Sequence, residues 1–268
     1  MSGALFVSTF RQSLRTLANY AVAMVLYLWV FIWIYPSFAG STALNAMLKT
    51  LPPRLLKVLG YSVGVTHLSG FLTGEYYSLL YLIIFAIYAI FTGTKLMAHL
   101  IDNGFMGYLL ATPVSRRRIA STQALVLLGG VFLIAAATTG GGLLGAYWFA
   151  PHAHIATGPF VEMNLVGMLV FAVVAAYSFL FSALAPDERT AIGLSTMVTL
   201  LFYSLHVVGD LSTRLRWAAH LSLFTVFNPP ALMGGHGPIL TDSLWLVAAT
   251  IALLGLGVAG FQRRQLSL

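Results

Sequence analysis

The sequence predicts an all-α membrane protein in which residues 1–268 form a single domain with six transmembrane helices. Hydrophobic residues make up 59% of the chain and charged residues only 8%, whereas about a quarter of an average soluble domain is charged. The apolar residues also gather in long runs, and roughly 20 such residues are enough to cross a bilayer. The predicted spans are residues 19–38, 76–94, 119–148, 165–184, 190–208 and 243–261.

The first 18 residues predict a short amphipathic helix ahead of the first span. At 100° per residue, Phe6 and Phe10 fall on one side of such a helix, and Arg11 and Arg15 fall on the other. A helix of this kind lies in the membrane interface with its arginines at the lipid phosphates. We therefore predict that residues 1–18 form an N-terminal interfacial helix; the alternative is a simple polar lead-in to the span.

Glycine clusters mark the third predicted span. They lie at residues 129–130 and 140–142. Small residues allow two membrane helices to approach closely, so the clusters predict close packing or a local break. Alternatively, the second cluster only caps the outer end of the helix.

The basic residues suggest a membrane orientation. They are spread over the loops and the chain ends without forming a dense face, so the net charge of +7 does not indicate nucleic-acid binding. With the chain ends inside, nine Lys and Arg residues lie on the inner side and five on the outer side. Positive residues favour the cytoplasmic side, so we predict that both termini are cytoplasmic. Lys49, Arg54 and Lys57 lie in the long outer connection 40–74, where this rule is weak.

The loop 95–118, between the second and third spans, is the most patterned stretch. Thr112 followed by Pro113 is typical of a helix start, with Thr as the N-cap and Pro at the first helical position. Three arginines, at positions 116–118, would then lie in or just after the first turn. The helix dipole disfavours cations at that end, so we infer that lipid headgroups or an acidic partner protein favour them there.

This loop resembles the one between the second and third spans of permeases of the ABC-2 type transporter family. The shared pattern is G-x-x-x-x-L-L-x-(S/T)-P-V-S-R, which here begins at Gly104 and ends at Arg116. In that family the loop carries a coupling helix that docks on a separate ATPase subunit. Members have one or two glutamates just before the Gly, and Asp102 stands nearest to that place in this chain.

The resemblance implies ATPase contacts in two loops. The second is the turn between the fourth and fifth spans, where Asp187 also suits the N-cap of the fifth span. The implied contact residues are Asp102, Gly104, Leu109, Leu110, Thr112, Pro113, Arg116, Arg117, Arg118, Asp187, Glu188 and Arg189.

The C-terminal part of the chain extends the resemblance. Residues 217–241 are apolar but contain Asn228-Pro229-Pro230 and several glycines, which predicts a re-entrant or interfacial segment rather than a span. Residues 215–229 resemble the external re-entrant region before the last span of ABC-2 permeases. The basic tail that begins at Gln262 follows Phe261, and together they resemble the short F-x-R-R ending of the family.

The resemblance implies the permease subunit of an ABC exporter in the inner (plasma) membrane of a prokaryote. Two permease copies, as a homodimer or a heterodimer, would work with two copies of a cytoplasmic ATPase that binds ATP and Mg. An amphipathic or hydrophobic cargo would pass between the permease copies along spans one, two and five. Residues that suit such a path are Tyr27, Trp33, Tyr77 and Tyr81.

Two other function classes stay open, a secondary carrier and a lipid-modifying membrane enzyme. The chain has no G-x-x-x-x-G-K-[ST] phosphate loop, and we predict no catalytic, cofactor or metal site in it. No carboxylate lies near the middle of a predicted span, which disfavours an ion-coupled carrier. His152 and His154 have the spacing of metal ligands, but no third ligand is evident. The roles of these two residues, His206 and His236 are open.

Overall fold

The computed structural model describes residues 3–39, 50–61, 67–104, 114–153, 155–235 and 239–264. Within these ranges the regular structure is entirely helical. The helices, in chain order, are α1 (Gly3–Phe38), α2 (Pro53–Val58), α3 (Leu68–Asp102), α4 (Arg116–Phe149), α5 (Thr157–Leu184), α6 (Glu188–Leu211), α7 (Arg216–His220), α8 (Pro229–Met233) and α9 (Ile239–Arg263).

Six of these helices, α1, α3, α4, α5, α6 and α9, are long and apolar enough to cross a membrane. Each contains one of the six predicted spans, so the prediction of an all-helical multi-pass membrane protein is confirmed. The helices run alternately up and down. We call the end of the bundle where α1 begins and α9 ends the terminal end, and the other end the opposite end.

The N-terminal segment does not form a helix of its own, which corrects the predicted division at residue 18. Gly3–Phe38 is one continuous helix of 36 residues. The physical reason is the absence of Gly or Pro between Gly3 and Pro36, since these are the residues that end helices most effectively. At 1.5 Å per residue the helix is about 54 Å long, which exceeds the roughly 30 Å hydrocarbon core. That its first turns lie in the interface stays a prediction.

Helix α5 forms the centre of the bundle and packs against α3, α4, α6 and α9. Its residues 171–179 are all buried. A helix that is apolar all round is expected to be surrounded by protein, and the uncharged run in α5 fulfils that condition. By contrast α1 and α6 are the least buried of the six long helices.

The second glycine cluster of α4 makes a close contact, which settles the alternatives left by the sequence. A Cβ atom built on Gly142 would lie 2.6 Å from Phe160 Cζ and 3.0 Å from Leu28 Cδ2. The Trp29 Nε1–H group of α1 donates a hydrogen bond to the Gly141 carbonyl, 2.7 Å away. The glycines therefore allow α1 and α5 to approach the backbone of α4, instead of capping its end.

Helix α3 is α-helical in its middle and π-helical near both ends. The π-helical stretches are Thr73–Leu80 and Lys95–His99. Such turns hold more residues than an α-turn and occur often at functional sites. The second stretch forms the start of the patterned loop 95–118.

The short helix α2 is bound by side-chain contacts to the C-terminal end of α6, at the opposite end of the bundle. The Lys57 ammonium lies 2.7 Å from Asp210 Oδ1, and Arg54 Nη2 donates to Thr213 Oγ1 over 2.6 Å. These contacts give Arg54 and Lys57, two of the basic residues of the predicted outer connection, a structural partner.

The segment between α6 and α9 folds back against the bundle at the opposite end. It consists of α7, a 3-10 turn (Leu223–Val226) and α8. Phe227 stacks on Tyr81 of α3 with ring centroids 5.5 Å apart, and Phe224 lies 6.2 Å from Phe171 of α5. The segment is therefore not a further span, which agrees with the prediction from the sequence. That it is re-entrant in the membrane stays a prediction.

Candidate functional site at the terminal end of the bundle

The terminal end joins the last turns of α3 to the first turn of α6. His99 Nδ1 lies 2.6 Å from Glu188 Oε2, and the Asn103 side-chain amide donates to the His99 carbonyl over 3.0 Å. Both side chains of the His99–Glu188 pair are partly exposed. The patterned loop 95–118 and the turn at Asp187 and Glu188, here called the acidic turn, are far apart in the sequence. A direct side-chain contact thus connects them.

A serine of α5 explains why α3 becomes π-helical at this place. The Ala98 amide donates to Ser182 Oγ over 2.7 Å, and the Ser182 hydroxyl donates to the Thr94 carbonyl over 2.6 Å. The hydroxyl thereby takes the place of the direct hydrogen bond from residue 98 to residue 94 that an α-helix would have. A side chain inserted in the hydrogen-bond ladder is a known cause of such irregularities.

The acidic turn is a helix cap, as the sequence predicts. Asp187 Oδ1 accepts a hydrogen bond from the Thr190 amide over 2.7 Å, and the Thr190 hydroxyl donates to Asp187 Oδ2 over 3.0 Å. These two hydrogen bonds lower the pKa of the Asp187 carboxyl from its ordinary value. Asp187 is therefore an anion at neutral pH, placed where the dipole of α6 favours one.

The start of α4 differs from the prediction. The N-cap is Ser115, whose hydroxyl accepts from the Arg118 amide over 3.4 Å, and Val114 and Ser115 are not helical. The predicted N-cap Thr112 is therefore not the cap of this helix. Ser115 has the extended backbone and the side-chain acceptor that a cap requires, and it lies three positions after Thr112.

The three arginines after this cap have different surroundings. Arg116 is partly buried, and its Nη1 donates to the Arg264 carbonyl over 2.8 Å. The Arg264 guanidinium in turn donates to the Ala183 carbonyl over 3.1 Å. Arg117 and Arg118 are exposed, and their side chains have no hydrogen bond or ion pair within the described ranges. Arg116 therefore joins the start of α4 to the end of α9, whereas Arg117 and Arg118 present exposed charges at the same place.

Of the remaining predicted contact residues, Asp102, Gly104 and Arg189 are exposed at the terminal end. Gly104 has φ +72°, a backbone conformation that suits glycine and that ends α3. Four predicted residues lie outside the described ranges, and these are Leu109, Leu110, Thr112 and Pro113.

The four aromatic residues of the predicted path do not line one surface within a single chain. Tyr27 and Trp33 on α1 are 50% and 65% exposed, whereas Tyr77 and Tyr81 on α3 are completely buried. The Tyr77 hydroxyl donates to Asn164 Oδ1 over 3.2 Å. The two tyrosines of α3 belong to the packed interior, and the two residues of α1 face away from it.

The six-helix architecture and its terminal end can be compared with known proteins. The family model described as "Multidrug efflux system permease Rv1217c, C-terminal domain" matches residues 6–262. The chain belongs to this family. No curated protein matches it. The membership makes the chain a transporter permease domain, in agreement with its multi-pass helical fold.

Sequence reasoning missed three residues at the terminal end of this permease. His99, Ser182 and Arg264 make the contacts that join its helices. A histidine four residues after Lys95 and a serine in an apolar helix are common, so neither indicated its partner. The position of Arg264 just after the last span suggested that it lies at the terminal end, but not that it contacts Ala183.

The histidines of the permease have no shared site in the described ranges. His152 is exposed. His206 lies near Asp210 and Lys57. Its Nδ1 atom is buried and has no hydrogen-bond partner among the described residues. His154 and His236 lie outside the described ranges.

Tyr61 lies beside the opposite end of α3 and donates a hydrogen bond to Glu75. Burial, together with this hydrogen bond and the charge of Glu75, raises the pKa of the Tyr61 hydroxyl. Tyr61 is therefore a neutral hydrogen-bond donor at this place.

Proposed function

We propose that this permease is the membrane-spanning subunit of an ATP-driven ABC transporter of the ABC-2 type. It exports an amphipathic or hydrophobic substrate and contains no ATPase of its own. A separate cytoplasmic ATPase subunit, present in two copies with ATP and Mg, drives it through residues 96–118. Both termini are on the cytoplasmic side of the inner membrane of a prokaryote.

The observation that carries the proposal is the contact between His99 and Glu188 at 2.6 Å. A partner that moves the end of α3 also moves the start of α6 through this contact. Ser182 adds α5 to the same connection, because its hydroxyl is hydrogen-bonded within the π-helical stretch of α3. Packed elements that move as rigid bodies are the usual means by which a local change becomes a large one.

The free charges at the terminal end support a docked partner. Arg117, Arg118 and Arg189 are exposed cations, and Asp102 at the end of α3 is an exposed anion. Exposed charges of this kind orient a partner that carries the opposite charges, and they accelerate its association. The ATPase would therefore present acidic groups to the start of α4.

A second permease copy is proposed at the surface formed by α1, α3 and α6. Helix α3 exposes one apolar stripe of residues spaced four apart, while its other spanning residues are buried or half-buried. Tyr27 and Trp33 are exposed on α1, and Met197 and Leu200 are exposed on α6. The cargo would pass between two such surfaces. The stripe consists of Leu79, Ile83, Ile87 and Phe91, which are 40–51% exposed.

Removal of the two free arginines should release the ATPase. The tested variant carries Arg117→Ala and Arg118→Ala, and the tagged permease is purified gently from its native host. Loss of a charge-assisted contact weakens binding by about tenfold for each arginine, so we expect ATPase recovery and ATP hydrolysis in the eluate to fall by at least about tenfold.

The matched control carries Arg214→Ala and Arg216→Ala, which removes two exposed cations from the opposite end. This variant should retain the ATPase. Equal recovery from both variants would remove the coupling role of the start of α4. A wild-type permease that never brings an ATPase with it would contradict the ABC assignment itself.

A further inference from the structure

A cavity of about 460 Å³ lies at the terminal end, between the first turns of α1, the last turns of α3 and the first part of α4. A single chain forms it, and it adjoins the proposed surface between permease copies, because Lys95 follows Phe91 by four residues on the exposed side of α3. Cavities of roughly 300–1,000 Å³ accommodate drug-sized ligands. The cavity therefore has the size of a binding site for one small molecule.

The lining of this cavity is rich in hydrogen-bonding groups and contains no acidic side chain. Hydroxyls and amides surround one ammonium, that of Lys95, and one imidazole, that of His99. A lining with cationic and neutral groups only favours a ligand with negative charge. The polar lining residues are Ser8, Thr9, Gln12, Ser13, Thr16, Tyr88, Thr92, Lys95, His99 and Gln123.

Gln123 is the most informative of these residues. Its side chain is only 2% exposed, and its Oε1 atom has no hydrogen-bond partner in the described part of the chain. A buried polar group without a partner costs about 1–3 kcal/mol, so protein interiors usually provide one. Because Gln123 lines the cavity and Oε1 is an acceptor, a hydroxyl or N–H group of a bound molecule is in position to provide the missing donor.

Lys95 supplies the charge. It is exposed at the rim of the cavity and has no hydrogen bond or ion pair with any other described residue. Three leucines, Leu5, Leu96 and Leu100, add an apolar wall to the same cavity. The site thus offers one cation, one unsatisfied amide and one apolar surface.

We propose that this cavity binds an amphipathic anion whose head also carries a hydroxyl, with its negative charge at Lys95, the hydroxyl donating to Gln123 Oε1, and its apolar part along the leucines. The inference rests on the proposed export function, for which it names the class of cargo. The cavity borders the Lys95–His99 stretch of α3, which also contains the residue that contacts Glu188. A bound molecule and the coupling contact therefore share one helical segment.

The test measures binding by native mass spectrometry of the purified permease in a neutral detergent. The probes are lyso-phosphatidylglycerol, which is anionic, lyso-phosphatidylcholine, which is zwitterionic, and inorganic phosphate, which is a head without a tail. We expect one molecule of lyso-phosphatidylglycerol to bind, about tenfold more tightly than lyso-phosphatidylcholine.

Three variants locate the site. Lys95→Gln should weaken lyso-phosphatidylglycerol binding by about tenfold, and Gln123→Leu should weaken it severalfold. Arg117→Gln is the matched control, because it removes an exposed cation of the same end that does not line the cavity. Equal losses in Lys95→Gln and Arg117→Gln, or equal affinity for both lysolipids, would overturn the proposal. Inorganic phosphate binding as tightly as lyso-phosphatidylglycerol would also overturn it.

The mass of the untreated permease identifies the source of the ligand. A lipid that copurifies with the wild type and is lost in Lys95→Gln would place a membrane lipid in the site. An empty wild type that fills on addition of lyso-phosphatidylglycerol would indicate uptake of a soluble amphiphile. Both results support the site. Because no ATPase takes part, failure of this test is distinct from failure of the ABC assignment.

Discussion

Gly142→Val should destabilise the permease by about 1–3 kcal/mol, the usual cost of overpacking a filled core. A Cβ at this position already approaches Phe160 Cζ to 2.6 Å, and valine adds two further carbons. Neither Phe160 nor Leu28 can move away easily, because both side chains are completely buried. A thermal unfolding midpoint, measured in one detergent for all variants, gives the effect.

Gly140→Val is the matched control for this prediction. A Cβ on Gly140 meets nothing within 4 Å, so this variant carries the same change in helix propensity without the clash. We expect its unfolding midpoint to stay close to that of the wild type. Equal midpoints for the two variants would mean that α1 and α5 do not approach α4 as closely as the structure has them.

Tyr81→Ala should be strongly destabilising, whereas Tyr81→Phe should be neutral or stabilising. The ring is completely buried and stacks on Phe227 at 5.5 Å, and truncation of a buried aromatic residue costs about 3–5 kcal/mol. The hydroxyl has no hydrogen-bond partner in the described ranges. Its removal therefore loses no hydrogen bond and relieves an unpaired polar group.

Tyr77→Phe provides the comparison for the hydroxyl. Tyr77 is equally buried, but its hydroxyl donates to Asn164 Oδ1 over 3.2 Å. We expect Tyr77→Phe to lower stability by about 1 kcal/mol, because the asparagine oxygen loses its donor. Unfolding midpoints that place Tyr81→Phe below Tyr77→Phe would show that the Tyr81 hydroxyl has a partner after all.

The overall fold was predictable because it depends on composition and periodicity. Uncharged runs long enough to cross a bilayer gave the six long helices, and Asp187 was recognisable as a cap from its type and position. The proline and glycine breaks in residues 217–241 likewise predicted short elements in place of a span. These features are local, so one sequence suffices to predict them.

The contacts of the terminal end were not predictable, because they depend on three-dimensional proximity. Nothing local in the sequence pairs His99 with Glu188, which are 89 positions apart. The continuity of α1 was missed for another reason. The change from an amphipathic to an apolar pattern near residue 18 suggested a boundary, but a helix ends where its backbone is interrupted, and no residue interrupts it there.

The Ser182 hydroxyl also sets the register of α3. It separates the Thr94 carbonyl from the Ala98 amide, and it belongs to a different helix. If α5 withdraws, these two backbone groups can bond directly, and the last turns of α3 must then wind by up to one residue, about 100° and 1.5 Å. A small separation of two helices would thus become a screw motion of the segment that carries Lys95 and His99.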